Sequence, residues 1–375
     1  MKNILLINSS QDKIRPFLSL WQELSQREYA FYYFYSQELP GEVFFKQAKK
    51  YYFGPELKGK FSLALFIFFW PFLWLYYFWI LFFLKRKKNL KAIICFNWNE
   101  KILFSSLAAI FRLKVIWPEF PDTDYFDKPK LLIKLYKLSS SPAKIIAFVN
   151  YTKIQLRNLG FGENKIKVMP PGLRQKPARH QENIFSNLAK LDQTHFSRKY
   201  FTIGTVIELA PPNQVEIMLR AAKICLTVIS NLQVMIIGDG PERRHLAWLA
   251  KKLEIDNLVW FVGFQNYLRK WLDSFNVYIS TCEQVKLSDI KLALRAMANK
   301  LPVVAVRNIG LEEIIQEGRT GFLVEKDNSE ILANEIIKLY KNKRLAHDLG
   351  KNGYEQVSAN FSFDKMIKDW EEILG

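Results

Sequence analysis

The segment LQVMIIGDGPERRHLAWLAKKL (residues 232–253) joins an apolar run, a turn with two glycines and a helical pattern without interruption. The run LQVMII has the nearly continuous apolar character of a strand that is buried on both faces of a parallel sheet. After the glycines, apolar residues recur at the spacing of an amphipathic helix. This succession of strand, tight turn and helix is the repeating unit of an α/β fold.

The same alternation continues on both sides of this segment. After residue 199, the strand patterns YFTIGTVIEL, NLVWFVGF, FNVYIST and LPVVAV alternate with helical ones. The strand patterns before residue 174 are NILLIN (3–8), KAIICF (91–96), LKVIWP (113–118), AKIIAFV (143–149) and KIKVMP (165–170). We therefore predict two doubly wound, Rossmann-like domains that face each other across a cleft, with ligands at the carboxyl ends of the strands.

The length of 375 residues suits two domains of ordinary size. We expect an N-terminal domain over residues 1–173, a polar linker over 174–199 and a C-terminal domain over 200–360. A final helix over 361–375 is expected to pack back on the N-terminal domain. Three scattered cysteines indicate reduced thiols in a cytosolic protein, and neither they nor the four histidines have the spacing of a metal site. We therefore expect no metal and no resident cofactor.

The net charge of +18 belongs almost wholly to the first half of the chain. Residues 1–190 contain 30 Lys and Arg against 13 Asp and Glu, whereas the remaining residues are nearly balanced. A one-sided positive field favours a polyanionic partner, either nucleic acid or an anionic membrane surface. The apolar segment described next lies in the same half, and it favours the membrane over nucleic acid.

The apolar segment LALFIFFWPFLWLYYFWILFFLKRKK (63–88) interrupts the predicted α/β alternation. Its first 22 residues carry no charge, and a helix needs about 20 such residues to cross a bilayer. A single crossing, however, would place NILLIN and KAIICF on opposite sides of the membrane, although both are predicted to belong to one sheet. Lysines also flank the segment at both ends, so the positive charge indicates no preferred direction of crossing.

We therefore predict a membrane-associating helical hairpin over residues 61–88 that enters one leaflet and bends at Pro71. A proline inside a helix costs about 3 kcal/mol unless the chain turns or kinks there. Tryptophans near headgroup depth and four consecutive cations would hold the hairpin at the membrane. These residues are Trp70, Trp74, Trp79, Lys85, Arg86, Lys87 and Lys88. A true crossing helix and a buried or partner-binding helix are the alternatives. The predicted location is the cytoplasmic face of the cell membrane, with peripheral or monotopic attachment.

Five motifs in a fixed order give the C-terminal half a family resemblance. IGTVIEL, MIIGDGPERRHLAWLAKKLEI, WFVGF, ALRAMANKLPVVAV and EEIIQEGRTGFLVEKDN resemble the donor-binding domain of the retaining GT-B glycosyltransferases of family 4, the glycosyl transferases group 1. With KIKVMPPGL, the resemblance covers most of residues 143–360. It implies a GT-B fold and transfer of a hexose-type sugar from a nucleotide diphosphate sugar, which is a co-substrate rather than a cofactor.

The resemblance also implies donor contacts at several glycines and at one proline. In the GDGPE turn, Gly238, Gly240 and Pro241 would leave backbone N–H groups free to face a phosphate, although a tight turn without any ligand is the alternative. Further donor contacts are expected at Gly204 and Gly310. The GDGPE turn follows a strand and opens a helix, which is the context that phosphate binding requires.

The polar donor residues of the family are altered in this sequence. In the family, an arginine and a lysine hold the donor diphosphate, and two glutamates eight residues apart contact the sugar and the ribose. By register, the two cation positions are Glu208 and Asn213, and the two glutamate positions are Leu287 and Arg295. Glu283 could supply a carboxylate if the loop contains a four-residue slip.

The altered charges suggest a transposed donor pocket, in which the cations lie on the helix and the acid lies on the loop, the reverse of the arrangement in the family. Lys291 and Arg295 are spaced i, i+4 on one helix face, where they would neutralise the diphosphate while Glu208 contacts a hydroxyl group or Arg295. The alternative is a donor site that has drifted after loss of catalysis.

Acidic residues follow the VIWP strand and are candidates for the acceptor side. Glu119 is predicted to be catalytic together with Arg295, and Asp122 and Asp124 are predicted to lie beside the acceptor. An acidic loop that caps a helix would explain the same residues. The predicted function is transfer of a sugar to a lipid-linked or other glycan acceptor at the membrane. The second hypothesis is an inactive GT-B module that anchors or regulates a partner glycosyltransferase.

Overall fold

The structure is a computed structural model that describes residues 1–36, 45–57, 59–125, 127–174 and 200–375. The predicted linker 174–199 lies outside the described residues except for Arg174. The chain forms two compact units. Met1–Pro170 and Met366–Gly375 form the first domain, and Pro171–Lys365 form the second.

The first domain is built on a parallel sheet of seven strands in the order β3-β2-β1-β4-β5-β6-β7. The strands are β1 (Lys2–Asn8), β2 (Tyr29–Tyr35), β3 (Gln47–Lys50), β4 (Leu90–Cys95), β5 (Lys114–Glu119), β6 (Ala143–Ala147) and β7 (Ile166–Val168). The helices are α1 (Gln11–Ile14), α2 (Leu18–Ser25), α3 (Lys60–Lys88), α4 (Trp98–Ile110), α5 (Lys130–Ser139) and α6 (Asn150–Asn158). All five strands predicted before residue 174 belong to this sheet, and the sequence prediction missed β2 and β3.

The second domain is built on a parallel sheet of six strands in the order β10-β9-β8-β11-β12-β13. The strands are β8 (Phe201–Val206), β9 (Leu232–Ile237), β10 (Val259–Gly263), β11 (Val277–Ser280), β12 (Val303–Val306) and β13 (Gly321–Val324). The helices are α7 (Val215–Cys225), α8 (Arg243–Lys252), α9 (Leu268–Leu272), α10 (Leu287–Ala298), α11 (Ile309–Glu312), α12 (Ser329–Lys341) and α13 (Lys343–Asn360). The predicted α/β class with two Rossmann-like domains is therefore confirmed.

The last helix, α14 (Phe363–Leu374), packs most of its length on the first domain. Trp370 contacts Trp21 edge to face, with ring centroids 4.9 Å apart. Arg27 Nη1 forms an ion pair with Glu371 Oε1 at 2.9 Å. The chain thus returns to the face of the first sheet that also carries α2.

The opposite face of the first sheet is covered by α3, α4 and α5. Their buried side chains join one core with alternate residues of the strands, such as Leu5, Ile93 and Val115. Within this layer, the 29-residue helix α3 buries Leu63 and Tyr77 but leaves most of its aromatic side chains exposed.

The hairpin predicted over residues 61–88 is wrong, because α3 continues as one helix through Pro71. A proline inside a helix removes one backbone hydrogen bond, and tertiary packing can offset that cost. Contacts hold α3 on both sides of this point. Phe66 is buried before it, and after it Trp74 Nε1 donates to Ser106 Oγ at 3.1 Å and the Tyr77 hydroxyl donates to the Tyr52 carbonyl at 2.8 Å. We infer that this packing keeps the helix continuous.

The strands on either side of α3 share one sheet, as the sequence predicted. β3 pairs with β2, β2 with β1 and β1 with β4, all in parallel. Although α3 is long and apolar enough to cross a membrane, both of its ends are tied to the same sheet. A single crossing would therefore require this sheet to be divided between the two sides of the bilayer.

Candidate functional site

A pocket of about 380 Å³ opens in the second domain where the three strands β8, β9 and β10 end. The central strand β8 lies between β9 and β11, so the chain leaves the sheet in opposite directions at this point, which is where ligands bind in open α/β sheets. The lining residues are Val206, Ile207, Glu208, Asn213, Ile237, Gly238, Asp239, Phe264, Gln265, Leu268, Lys286, Ser288, Asp289 and Leu292. A groove of about 460 Å³ lies on the other side of the loop after β8, against α7 and α8, and has no strand ends at its wall.

Two opposite charges face each other across the pocket wall. Lys286, at the start of α10, places its Nζ 3.8 Å from Oε2 of Glu208, which follows β8. Glu208 is exposed, whereas Lys286 is half-buried. The pocket therefore contains a cation at the amino end of a helix, which is a favourable place for an anionic group. The sequence prediction identified Glu208 but missed Lys286.

A second carboxylate in the pocket is held by a buried thiol. Cys282 Sγ donates to Asp289 Oδ2 at 2.8 Å and also approaches Asn213 Oδ1 at 3.4 Å. Burial raises the pKa of Asp289, and burial together with the Asp289 carboxylate raises the pKa of the Cys282 thiol. Asn213 is buried as well, and its Nδ2 donates to the carbonyl of Glu208 at 2.6 Å. Asn213 and Asp289 thus fix the loops on either side of the pocket.

The glycine turn after β9 packs against the loop after β8. A Cβ on Gly238 would lie 1.8 Å from the Ile207 carbonyl oxygen, and one on Gly240 would lie 2.3 Å from the Leu209 carbonyl oxygen. Both glycines are therefore required for close contact between two backbone segments. Only Gly238 of the two lines the pocket.

The prediction that this turn presents free N–H groups to a phosphate is wrong for Gly238, Gly240 and Glu242, because the N–H groups of these residues donate to other groups of the protein. The N–H of Gly238 donates to the Gly263 carbonyl, and that of Gly240 donates to Asp239 Oδ1. The N–H of Glu242 donates to the Leu209 carbonyl, and Pro241 has no N–H. Hydrogen bonds to other loops occupy the donors of Gly238 and Glu242, and a bond within the turn occupies that of Gly240.

Three other predicted donor residues make packing contacts or ion pairs outside the pocket lining. A Cβ on Gly204 would overlap the Phe275 ring, and one on Gly310 would lie 2.4 Å from Val285 Cγ1, so these glycines are required by packing. Glu283 forms an ion pair with Lys326 and accepts from Gln214 Nε2 at 2.9 Å.

Lys291 and Arg295 lie on α10 at the spacing that the sequence predicted. Neither residue lines the pocket, although Ser288 and Leu292 of the same helix do. Lys291 is half-buried and Arg295 is exposed. Burial and the neighbouring Arg295 lower the pKa of Lys291 to about 8. The structure therefore places a pair of cations on α10, in the turns that follow the pocket.

In the first domain, Glu119 belongs to a buried network rather than to an exposed site. Its Oε1 lies 2.7 Å from Lys101 Nζ, and the hydroxyls of Tyr125 and Tyr136 also donate to its carboxylate. The side chains of Lys101 and Glu119 are only 2% and 1% exposed. The catalytic role predicted for Glu119 does not agree with this burial, since no face of its carboxylate is open to a substrate.

The other two predicted acceptor-side acids lie on the surface after β5. Asp122 and Asp124 are both exposed, and Asp124 Oδ1 accepts from the backbone N–H of Asp127 at 3.2 Å. This loop follows the carboxyl end of a strand, so the two acids remain candidates for an acceptor contact.

A second buried acid of the first domain, Glu100 of α4, fills the same edge of the first sheet. It accepts from the backbone N–H groups of Ser9, Phe96 and Asn97 and so joins the ends of β1 and β4. Burial raises the pKa of Glu100, and these hydrogen bonds oppose the change. Within the residues that the structure describes, there is no group of three or more His, Cys, Asp or Glu side chains that could hold a metal ion.

Comparisons with known proteins agree with the two-domain α/β fold and with the family resemblance of the sequence. Residues 200–342 match the family model of Glycosyl transferases group 1. HepE of Anabaena, solved in complex with UDP, superposes with a TM-score of 0.77 at 16% identity, covering 100% of this chain and 99% of that one. A glycosyltransferase from Rickettsia africae gives a TM-score of 0.78 at 17% identity, covering 100% and 97%. The predicted resemblance to GT-B glycosyltransferases of family 4 is confirmed, in fold for both domains and in sequence for residues 200–342.

Curated relatives match mainly in part of the chain. Poly(ribitol-phosphate) alpha-N-acetylglucosaminyltransferase of Staphylococcus aureus is 24% identical over 200 residues, which are 52% of this chain and 40% of that protein. N-acetyl-alpha-D-glucosaminyl L-malate synthase of Bacillus anthracis is 31% identical over 152 residues, which are 40% of this chain and 39% of that protein. The matched segments thus span about two fifths of the length of these relatives.

Proposed function

We propose that this protein is a membrane-associated glycosyltransferase that moves a hexose-type sugar from a nucleotide diphosphate sugar to a lipid-linked or other glycan acceptor, with retention of configuration. The observation that carries this proposal is the pocket at the ends of β8, β9 and β10, closed by the start of α10 and containing Lys286. HepE was solved with UDP, and the two curated relatives are named for reactions of N-acetylglucosamine, which supports a nucleotide sugar as donor.

The charges around the pocket suggest how the donor is held. Lys286 and the first turn of α10 would contact the diphosphate, because a cation and a helix amino end both favour negative charge. Glu208 would then be released from Lys286 to accept a hydrogen bond from a sugar or ribose hydroxyl. The transposed pocket predicted above further requires Lys291 and Arg295, which lie beyond the pocket lining, to reach the diphosphate from the next turns of α10.

The chemistry of this arrangement is stabilisation of a leaving group. Negative charge develops on the diphosphate as the sugar departs, and cations placed in advance lower the energy of that state. Asp122 and Asp124 of the first domain are the proposed acceptor-side residues. Substrate positioning and these electrostatic contacts would be the main contributions of the protein to the rate.

The exposed face of α3 supports the membrane part of the proposal. Residues on this face include Phe68, Phe72 and Trp79, and the helix ends in four cations from Lys85 to Lys88. A helix that is packed on a domain along one face and apolar along the other is suited to lie in the interface of a bilayer. Attachment of this kind would bring the first domain close to lipid-linked acceptors.

The alternative function is an inactive GT-B module that anchors or regulates a partner glycosyltransferase. Leu287 and Arg295 favour it, because the family has glutamates at both positions. Calorimetric titration with UDP, GDP and ADP separates the two proposals. Binding of at least one nucleotide, followed by turnover of its sugar conjugate, is expected for the enzyme. Failure of all three nucleotides to bind would contradict the enzyme and favour the module.

The substitution Arg295→Ala tests the transposed pocket. A bidentate contact between a guanidinium and a phosphate contributes about 1.5–3 kcal/mol, so the affinity for the bound nucleotide is expected to fall about tenfold to a hundredfold. Titration calorimetry of the two proteins measures this change. Lys341→Ala, an exposed change on α12, is the matched control and should leave the affinity unchanged. Equal affinity of Arg295→Ala and the unmodified protein would reject the transposed pocket.

The pKa of Lys291 predicts a dependence of nucleotide binding on pH. Because this pKa is lowered to about 8, the free protein loses the Lys291 charge above that value, and the affinity is expected to fall up to tenfold per further pH unit. Lys291→Arg keeps its charge, so its affinity should stay nearly constant up to pH 10. Calorimetry between pH 7 and pH 10 measures both curves. The same decline in Lys291→Arg would assign the pH dependence to another group.

A further inference from the structure

One edge of the first sheet collects the carboxyl ends of three neighbouring helices. α3, α4 and α5 each precede a strand of the parallel sheet, namely β4, β5 and β6. In such a sheet the helices run opposite to the strands, so the helix ends and the strand starts lie at the same edge. Residues that are separated in sequence between 85 and 144 therefore meet along this edge.

This edge is strongly cationic. We call it the basic edge, and its residues are Lys85, Arg86, Lys87, Lys88, Lys91, Arg112, Lys114, Lys137 and Lys144. All are exposed except Lys85, which is half-buried. Within the described part of the chain, none of these side chains forms an ion pair within 4.0 Å. Among the described residues, the basic edge thus contains no ion pair of its own.

Three acidic side chains near this edge have a cation as partner, and a fourth, Glu28, is exposed just before β2. Glu371 pairs with Arg27 near the start of β2, and Glu372 pairs with Lys167 of β7. Glu163, before β7, pairs with Lys153. Each of these three acids pairs with a cation outside the basic edge. Lys167 and, to a smaller extent, Lys144 lower the pKa of Glu372, so the positive charge of the edge is least compensated along β4 and β5.

Each of the three helices also exposes a large apolar residue next to these cations. Phe83 of α3, Ile110 of α4 and Leu138 of α5 are 52%, 54% and 64% exposed. Cations in the last turn of a helix are favoured by the helix dipole, which would explain part of the charge. That effect explains neither the exposed apolar residues nor the cations at the strand starts, Lys91 and Lys114. Apolar and cationic residues together are typical of a surface that binds an anionic bilayer.

We propose that the basic edge is a second contact of the first domain with a bilayer of anionic phospholipids, in addition to the exposed face of α3. The proposal rests on the membrane association proposed above. The ammonium and guanidinium groups would contact lipid phosphates, while Phe83, Ile110 and Leu138 enter the interface. A nucleic acid offers the same phosphates but no apolar layer for these three side chains, so lipid is the partner that the surface fits better.

A charge-reversal variant of the full-length protein tests this proposal. Lys91→Glu, Lys114→Glu and Lys144→Glu change three exposed residues at the strand starts and none of the residues of α3. The control combines Lys251→Glu, Lys341→Glu and Lys343→Glu, which are exposed residues of the second domain and give the same change in net charge. Binding is measured by co-sedimentation with vesicles of phosphatidylcholine, with and without phosphatidylglycerol.

We expect the edge variant to bind vesicles that contain phosphatidylglycerol about a hundredfold more weakly than the unmodified protein. Its weak binding to pure phosphatidylcholine, which depends on α3, should not change, and this also shows that the domain is folded. The control variant should lose much less affinity for the anionic vesicles. Equal losses in the two variants, or no loss in the edge variant, would overturn the proposal.

Two further outcomes are informative. If the unmodified protein binds neither kind of vesicle, the membrane association proposed for α3 fails, and the basic edge loses its basis with it. If the edge variant keeps its affinity for anionic vesicles but loses affinity for duplex DNA in the same buffer, lipid is the wrong partner. If the edge variant binds pure phosphatidylcholine normally and gains as much affinity from phosphatidylglycerol as the unmodified protein does, the proposal for the basic edge is overturned. The membrane association proposed for α3 would then still stand.

Discussion

Lys101→Met is expected to lower the free energy of unfolding of the first domain by about 3–5 kcal/mol, since it leaves the buried Glu119 carboxylate without its cation. Lys101 Nζ lies 2.7 Å from Glu119 Oε1 and 2.9 Å from the Pro118 carbonyl oxygen. Burial lowers the pKa of Lys101, and the Glu119 charge opposes that change. Urea unfolding, followed for the transition of the first domain, measures the loss.

Two further variants separate the effect of the charge from the loss of packing. Lys101→Met combined with Glu119→Gln leaves no charge on either side chain of the pair. One tyrosine hydroxyl can still donate to the amide oxygen while the other accepts from the amide nitrogen, so most of the stability should return. Lys153→Met breaks an exposed pair with Glu163 and should cost less than about 1 kcal/mol. A double variant as unstable as Lys101→Met would mean that packing, not the unpaired charge, explains the loss.

The double variant also tests the role of Glu119 in function. A purely structural pair predicts that the refolded double variant keeps nucleotide affinity and sugar transfer, because no group that contacts a substrate has changed. Loss of transfer at full stability would restore the catalytic role that the sequence suggested. The sequence placed Glu119 correctly at the end of β5. It could not show that the ammonium group of Lys101, seventeen residues before Pro118, forms an ion pair with the Glu119 carboxylate.

The sequence predicted the fold well where the strands are buried on both faces. β1, β4, β5 and β6 are short apolar runs between polar residues, which is the pattern of a central parallel strand. β3 was missed because its residues, QAKK, are polar and exposed at the edge of the sheet. β2 carries a signal, since YAFYYFY consists almost wholly of aromatic residues that favour strands, and the prediction did not use it.

The candidate site was predicted less well than the fold, for physical reasons. Register with the family located Glu208 and Asn213, both of which line the pocket. Lys286 and Asp289 were missed because their position depends on how the loop after β11 meets the loop after β8. At the GDGPE turn, the sequence could not show that the N–H groups of Gly238 and Glu242 donate to carbonyl groups of residues distant in sequence.

The exposed face of α3 gives the second large expected effect. A variant with Phe68→Ser, Phe72→Ser and Trp79→Ser should lose nearly all binding to neutral phosphatidylcholine vesicles. All three side chains are largely exposed. Burying each in the interface contributes about 2 kcal/mol, and the total of about 6 kcal/mol corresponds to a partition coefficient lower by roughly ten-thousandfold. Flotation with vesicles measures the bound fraction.

The control for this variant carries three similar changes on the second domain. Val228→Ser, Trp248→Ser and Ile331→Ser also replace exposed apolar residues and should leave vesicle binding unchanged. Tyr77, on the buried face of α3, is a second control, because Tyr77→Phe loses only its bond to the Tyr52 carbonyl and keeps the exposed face intact. Binding of the triple α3 variant at the level of these controls would contradict the membrane role of α3.

The membrane attachment proposed for α3 requires both ends of the helix to lie on one side of the bilayer, because the strands before and after it belong to one sheet. Since β3 and β4 belong to one sheet, single cysteines introduced as Lys60→Cys and Lys88→Cys should both react with an impermeant reagent from the same side of the membrane. The three native cysteines are buried, so the signal comes from the introduced thiols. Reaction from opposite sides would mean that α3 crosses the bilayer, which the pairing of β3, β2, β1 and β4 does not permit.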